Sequence, residues 1–134
     1  LSAAFQVPRG QFFVVNQVHE DRILLIDQEH PKPSENQPLQ YDAVLTDRLG
    51  LAIGIKTADC VPILMVDPVK RVIGAVHAGW KGTSLGIAGK AVDALASRYL
   101  TEPSDLIVAV GPAIGPCCYQ VDKAVFEAMG GAAA

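Results

Sequence analysis

Few residues of the sequence are cysteine, aromatic or charged, and each scarcity excludes a class of protein. Three cysteines in 134 residues do not make the disulfide framework of a small secreted domain. No apolar run approaches the roughly 18 residues that cross a bilayer, and no cationic stretch followed by an apolar one marks a signal peptide. The 14 acidic and 11 basic residues nearly cancel, so no basic stripe is available to bind a nucleic acid polymer. We therefore expect a cytoplasmic protein that binds neither membranes nor nucleic acids.

Apolar residues, by contrast, make up 50% of the chain, which excludes a disordered segment. The length suits one domain with one sizeable core. Because the chain opens at Leu1 and closes in Gly-Gly-Ala-Ala-Ala, we expect residues 1–134 to be a single domain that is truncated at both ends. The oligomeric state stays open.

Apolar, β-branched segments alternate with turn residues along the chain, a pattern typical of short strands. The predicted strands cover residues 12–18, 22–26, 43–46, 51–56, 61–66, 72–77 and 106–110. Since these strands are continuously apolar, we expect a sheet that is covered on both sides. Two helices, at 83–100 with a cap at Thr83 or Ser84 and at 122–129 between Asp122 and Gly130, complete an α/β class. The proline-rich segment 28–40 is predicted to be an exposed loop.

Two histidines and a cysteine stand at the ends of predicted strands. His19 follows the first strand, Cys60 lies in a turn between two strands, and His77 closes a third. Such positions can line a cleft on a rigid scaffold, and three ligands with a fourth position open are typical of a catalytic zinc site. The spacing contains no Cys-x-x-Cys or His-x-x-x-His pair, so ordinary hydrogen-bonded histidines and a small buried cysteine remain the alternative.

Three neighbouring residues could also take part in chemistry. Asp59 is either a general base or a turn residue that bonds its own backbone. Lys81 lies where glycines and a helix start could receive an anion, although a solvated lysine is an equal alternative. Trp80 is either a core residue or a surface on which a flat ring stacks.

The remaining cysteines and histidine are assigned to packing and to the surface. Cys117 and Cys118 are adjacent in the chain, and adjacent cysteines rarely form a disulfide with each other. The sequence around them has no spacing typical of a zinc site. We predict that both are packing residues. His30 lies among prolines in a polar segment and is predicted to be on the surface.

Five segments occur in an order that resembles one protein family. They are Asn-Gln-Val-His19, Tyr-Asp-Ala-Val-Leu-Thr46, Thr-Ala-Asp-Cys-Val-Pro62, His77-Ala-Gly-Trp-Lys-Gly82 and Gly111-Pro-Ala-Ile-Gly115. Together they resemble the laccase-like polyphenol oxidase family, whose members are understood as purine nucleoside phosphorylases with adenosine deaminase activity. The resemblance runs from about Phe12 to Val121.

The resemblance implies a fold, a metal and a set of site residues. The fold would be a four-layer α/β/β/α sandwich with mixed sheets, of which this chain is an incomplete copy. Zinc would be the cofactor, although copper could bind in vitro. The implied zinc ligands are His19, Cys60 and His77. The implied catalytic residues are Asp59, Cys60 and His77, and the candidates for substrate binding are Gln17, Trp80 and Lys81.

The implied reaction is phosphorolysis of adenosine or inosine (and methylthioadenosine) to free base and ribose 1-phosphate, together with deamination of adenosine. Phosphorolysis depends on positioning and electrostatic stabilisation. In deamination, activated water would attack the purine carbon that bears the amine while Asp59 moves protons. The chain departs from the family where Glu20 replaces a glycine that could adopt a positive φ. An amino-terminal segment with groups for phosphate and ribose also has no counterpart before Leu1.

Other functions stay open from the sequence. A cysteine hydrolase or deamidase would use Cys60 as nucleophile and His77 as base. A copper-dependent phenol oxidase would match the older family name, but two histidines and a cysteine suit adventitious copper better. A domain without activity that packs with a partner is the last alternative.

Overall fold

The computed structural model describes residues 7–31 and 40–131, which form two sheets and three helices. The strands are β1 (Phe12–Val14), β2 (Ile23–Ile26), β3 (Ala43–Thr46), β4 (Ala52–Gly54), β5 (Val61–Asp67), β6 (Val72–Ala78) and β7 (Ile107–Val110). The helices are α1 (Trp80–Ser84), α2 (Ile87–Tyr99) and α3 (Lys123–Ala128). This confirms the mixed α/β class, while residues 32–39 of the predicted loop lie outside the described residues.

The larger sheet has five strands in the order β2-β3-β6-β5-β7, and the smaller sheet pairs β1 with β4. The pairs β1–β4 and β2–β3 are parallel, and the other three pairs are antiparallel. No helix among the described residues is long and apolar enough to span a membrane.

Antiparallel pairing brings the start of β3, the end of β6 and the start of β5 to one edge of the larger sheet. The paired residues nearest this edge are Ala43 with Val76 and Val61 with Ala78. Asp42 and Cys60 directly precede β3 and β5, and His77 is the penultimate residue of β6. The backbone N–H of His77 donates to the carbonyl of Asp42 at 2.7 Å. This edge, which we call the site edge, carries the candidate functional residues.

The two faces of the larger sheet are covered by different elements. Helix α2 covers one face with Ile87, Ala91 and Leu95, which pack on residues of β3, β5 and β6. The two-stranded sheet covers the other face, where Val15 and Phe13 join buried residues of β2, β3 and β6. The described residues thus form three consecutive layers, a helix and two sheets.

Strand β7 contradicts the prediction of a buried strand. Ile107, Val108 and Val110 keep 61, 47 and 67% of their surface exposed. The reason is the edge position of β7, since the buried side chains under α2 and under the two-stranded sheet come from β2, β3, β5 and β6. Ile107 of β7 pairs with Val66 of β5, and Leu64 lies two residues before Val66 on the same face of β5. These three exposed residues form an uncovered apolar strip.

The helix predicted at 83–100 is divided into α1 and α2, so the predicted caps at Thr83 and Ser84 are wrong. Gly86 separates the two helices in the left-handed conformation, with φ 75°, and is the N-cap of α2. Leu85 lies just before this break, after the end of α1, and is exposed. The last helix follows the prediction, since Asp122 accepts the N–H of Val125 at 2.9 Å.

Candidate metal centre

His77 is the most buried member of the centre and is held by a carboxylate that the sequence analysis missed. It lies in β6 at the site edge and is 2% exposed. Its Nδ1 lies 2.8 Å from Oδ1 of Asp42, which is fully buried. An ionised carboxylate only accepts, so an ionised Asp42 would place the proton of His77 on Nδ1 and leave Nε2 to bind a cation. In the sequence, Asp42 stands directly before an apolar strand and within Tyr-Asp-Ala-Val-Leu-Thr46, one of the five segments that carry the resemblance.

His19 reaches the same place from a loop that curls around Asp42. The backbone N–H groups of Val18, His19 and Glu20 donate to the Asp42 carboxylate at 3.3, 2.9 and 2.8 Å. His19 has φ 60°, a left-handed conformation that is uncommon for histidine. Its side chain is exposed, so it approaches the buried His77 from the solvent side.

Cys60 directly precedes β5, whose pairing with β6 places it beside His77. Burial, followed by the charges of Asp59 and Asp42, raises the pKa of the Cys60 thiol. A thiol with a raised pKa is a poor nucleophile, whereas a coordinated cation deprotonates it. The surroundings of Cys60 therefore suit a metal ligand better than an activated nucleophile.

The three predicted ligands converge. His19, Cys60 and His77 each offer one ligand atom, and these atoms lie within 4.8 Å of one another. The rings of the two histidines meet edge to face, with centroids 4.8 Å apart. Two imidazoles and one sulfur are a donor set that zinc accepts with one position left open.

Gly79 leaves the space beside these side chains empty. A Cβ atom built on it would lie 3.1 Å from Cδ2 of His19, 3.3 Å from Sγ of Cys60 and 3.7 Å from Cε1 of His77. A methyl group would thus touch all three ligand residues. The absence of a side chain at this position fits the coordination of an ion by the triad.

A pocket of about 450 Å³ adjoins the triad. Its lining is mostly apolar, with two aromatic side chains that are partly exposed, Trp80 and Tyr119. The lining residues are His19, Asp59, Cys60, Val61, Ala78, Trp80, Thr83, Ile114, Tyr119 and Met129. The volume lies within the range of small-molecule sites, roughly 300–1,000 Å³.

Asp59 lies on the wall of this pocket with an exposed side chain. Its carbonyl accepts the N–H of Ile114 at 2.9 Å. Within residues 7–31 and 40–131, the structure gives its carboxylate no hydrogen bond or ion pair. The group is therefore available to a molecule in the pocket, although its predicted role in proton transfer stays a prediction.

Two of the predicted substrate-binding residues are engaged elsewhere. The amide of Gln17 donates to the carbonyl of Lys56 at 2.6 Å and accepts its N–H at 2.7 Å. Lys81 forms an ion pair with Glu20, with Nζ and Oε1 2.8 Å apart. Neither Gln17 nor Lys81 belongs to the pocket lining described above, and Trp80 does.

Glu20 does not need the glycine conformation that the resemblance raised as a question. The positive φ falls on His19 and not on Glu20. The carboxylate of Glu20 holds Lys81, and Asp21 holds Lys90 of α2 in the same way. The backbone carbonyl of Glu20 also lies so close to Gly82 that a Cβ there would be 2.7 Å away. The loop is fixed on its outer side by these contacts.

The segment Gly111–Gly115 contributes Ile114 to the pocket wall. The N–H of Gly111 donates to the carbonyl of Pro62 at 2.9 Å, which keeps the segment next to β5.

Cys117 and Cys118, which follow this segment, are both exposed, so the prediction that they are packing residues is wrong. They lie in a surface turn, and their sulfurs are 3.3 Å apart. His30 is exposed, as predicted.

Comparison with known proteins gives a consistent set of relatives. Residues 1–134 match the family described as multi-copper polyphenol oxidoreductase laccase. The human purine nucleoside phosphorylase LACC1 is 35% identical over 128 residues, which are 96% of this chain and 28% of that protein. The purine nucleoside phosphorylase YlmD of Geobacillus stearothermophilus is 48% identical over 88 residues, 66% of this chain and 32% of that protein.

The fold comparison agrees. The crystal structure of the Bacillus licheniformis hypothetical protein YfiH matches with a TM-score of 0.86 at 37% identity. The match covers 95% of this chain and 49% of that one. The chain therefore belongs to the multi-copper polyphenol oxidoreductase laccase family, as the five sequence segments predicted, and spans half or less of these relatives.

Proposed function

We propose that this member of the family holds the metal centre and part of the nucleoside pocket of an enzyme that cleaves adenosine or inosine with phosphate and deaminates adenosine. One observation carries the proposal. Three ligand residues from separate segments, His19, Cys60 and His77, converge beside an apolar pocket with aromatic walls. The names of the relatives supply the reaction class.

Zinc is the metal that we assign to the triad. Two histidines and one cysteine leave the fourth tetrahedral position for water or substrate, as in catalytic zinc sites. When bound, zinc acts as a Lewis acid and lowers the pKa of water. The described residues provide the binding: His77 is fixed by Asp42, and Cys60 by its place at the start of β5.

The pocket suits a flat heterocycle. Trp80 and Tyr119 keep 37 and 43% of their surface exposed and stand in a lining that also contains Ile114 and Met129. Aromatic and thioether side chains gain by contact with ring faces. We propose that the purine base lies against these residues, with its reactive edge toward the triad.

Asp59 is the proton-transfer group in this proposal. Its carboxylate is exposed on the pocket wall beside Cys60 and has no competing hydrogen bond among the described residues. A general acid or base must reach the reacting atom within hydrogen-bond distance. Lys81 would bind phosphate only after its ion pair with Glu20 is broken.

A cysteine hydrolase is the second candidate, because the spatial arrangement of Asp42, His77 and Cys60, in which the histidine contacts the carboxylate and lies near the thiol, resembles that of a catalytic triad. Asp42 contacts Nδ1 of His77, and a ring nitrogen of His77 lies within 4.8 Å of the sulfur of Cys60. Two observations weigh against it. The pKa of Cys60 is raised instead of lowered, and His19, which a hydrolase does not require, completes a third ligand position.

Metal content and activity separate the two candidates. Zinc per chain is measured by elemental analysis for the wild type and for His19→Ala, Cys60→Ala and His77→Ala, with Cys117→Ala as the matched control because Cys117 is an exposed cysteine outside the triad. We expect about one zinc per chain in the wild type and in the control. The three triad variants should lose it.

Activity is then measured on the natural polypeptide that contains these residues. Release of hypoxanthine from inosine should require phosphate and should stop in Cys60→Ala but not in Cys117→Ala. Metal-free wild type that is active with chelator present and is inactivated by a thiol alkylating reagent would refute the metal centre in favour of the hydrolase.

A further inference from the structure

Asp42 contacts both histidines of the metal centre through one carboxylate. Oδ1 accepts the backbone N–H of His19 at 2.9 Å and lies 2.8 Å from Nδ1 of His77. Oδ2 accepts the N–H of Glu20 at 2.8 Å and that of Val18 at 3.3 Å. The residue is fully buried, so its four donors all come from the protein.

We propose that Asp42 is the positioning residue of the metal centre, which sets the ring of His77 and the backbone of His19 so that both present ligand atoms to one cation. The proposal rests on the metal-binding part of the proposed function and is independent of the nucleoside reaction. Asp42 itself is not a ligand here, since both of its oxygens face donor groups.

The hydrogen bond to His77 selects the tautomer that can bind metal. Because the carboxylate has no proton to give, Nδ1 of His77 must donate. The remaining nitrogen, Nε2, then carries a lone pair, and the ring cannot rotate without losing its bond in a fully buried place. Carboxylates that hold metal-binding histidines in this way raise metal affinity.

The hydrogen bonds to residues 18–20 select the backbone conformation of His19. Three consecutive N–H groups turn toward one carboxylate, and this requires the left-handed conformation at His19, φ 60°. Histidine adopts this conformation infrequently. Without the acceptor oxygens of Asp42, no hydrogen bond would hold the three N–H groups together. The His19 side chain would then point elsewhere.

Replacing Asp42 by asparagine removes the negative charge and one acceptor oxygen but keeps the size of the side chain. An amide offers one oxygen and one NH₂ group, which is a donor. If NH₂ replaces Oδ1, it opposes the donors from both histidine residues; if it replaces Oδ2, it opposes those from Val18 and Glu20. In either orientation the centre loses part of its alignment while the side chain keeps its shape.

A matched control stands at the opposite end of the same pair of strands. Asp27 follows β2, Asp42 precedes β3, and these strands are parallel. Asp27 is also buried, and it accepts the N–H groups of Glu29 and His30 as well as a bond from Arg98. Asp27→Asn therefore removes a comparable buried carboxylate far from the triad.

Zinc affinity is measured by competition with a chromophoric chelator, together with Tm, for the wild type, Asp42→Asn and Asp27→Asn. We expect both variants to lower Tm. Only Asp42→Asn should raise the zinc dissociation constant, by about 10- to 100-fold, and change the absorption spectrum of the cobalt-loaded protein. Wild-type zinc affinity in Asp42→Asn would overturn the proposal and leave Asp42 a merely structural residue.

A second measurement needs no variant and covers the case in which Asp42→Asn does not fold. Nitrogen-15 NMR of the metal-free wild type reports which nitrogen of His77 bears hydrogen. We expect the proton on Nδ1, and a proton on Nε2 would overturn the proposal. Wild type that binds no zinc would refute the proposed function, whereas wild-type binding with an unaffected Asp42→Asn refutes only the role of Asp42.

Discussion

Replacing Gly79 by alanine tests whether the space between the three ligand residues holds the metal. The added Cβ would lie 3.1 Å from Cδ2 of His19 and 3.3 Å from Sγ of Cys60, both closer than ordinary van der Waals contact. At least one of these side chains must therefore move by a few tenths of an ångström. Zinc bonds to nitrogen and sulfur are only about 2.0–2.3 Å long, so a displacement of this size misaligns a ligand.

The expected loss is in metal binding and not in folding. Gly79 has φ −72° and ψ 170°, an extended conformation that alanine adopts readily. By restricting the unfolded chain, alanine at such a position stabilises by roughly 0.4–1 kcal/mol, which offsets part of the crowding. We expect the zinc dissociation constant to rise at least about tenfold, or about 1.4 kcal/mol, with little change in Tm.

Zinc titration with a competing chelator measures the zinc dissociation constant, and thermal unfolding without metal measures Tm. Gly89→Ala is the matched control, because Gly89 lies in α2 and a Cβ there meets nothing within 4 Å. It should stabilise by about 1 kcal/mol and leave zinc affinity unchanged. A Gly79→Ala protein with wild-type zinc affinity would show that the ion does not depend on the spacing of these side chains.

Two further predictions concern stability and association. Arg98 donates to Asp27 and is the main cause that holds the pKa of this carboxyl well below its usual range. A lowered folded-state pKa stabilises above the unfolded-state value of about 4, and the contribution is lost as pH falls further. Arg98→Met should therefore lower Tm at neutral pH, and its difference from wild type should shrink below about pH 4; a pH-independent difference would contradict this. We expect the wild type to self-associate through the uncovered apolar strip, and the double variant Leu64→Thr/Ile107→Thr to do so less in analytical ultracentrifugation; a monomeric wild type or unchanged association would show that the strip is not a contact between copies.

Most of the strands and the proximity of Cys60 to His77 were predictable, because local pattern and strand ends determine them. Ala43–Thr46 has the predicted bounds, and the hairpin of β5 and β6 follows from two apolar runs around a turn. Once this hairpin forms, its register brings Cys60 close to His77. His19 joins them through a long-range contact that no local pattern encodes, and its prediction was supported by the resemblance.

The errors came from tertiary context. An apolar run such as Ile107–Val110 has the same sequence whether its faces are covered or bare, and only the positions of α2 and the two-stranded sheet decide between them. The break at Gly86 depends on one left-handed residue in an otherwise helical pattern. Asp42 has little local signal, because its four donors come from segments far away in the chain.

The same four donors explain how a strained loop can be part of a fixed site. The left-handed conformation of His19 costs roughly 1–2 kcal/mol. One hydrogen bond to a charged acceptor contributes about 1.5–3 kcal/mol, and three backbone N–H groups of the loop point at Asp42. The hydrogen bonds therefore outweigh the strain before any ion arrives. Since Cys60 and His77 are already fixed by the sheet, the proposed binding of a cation would not require the loop to fold first, and the three candidate ligands would meet it as a preformed group.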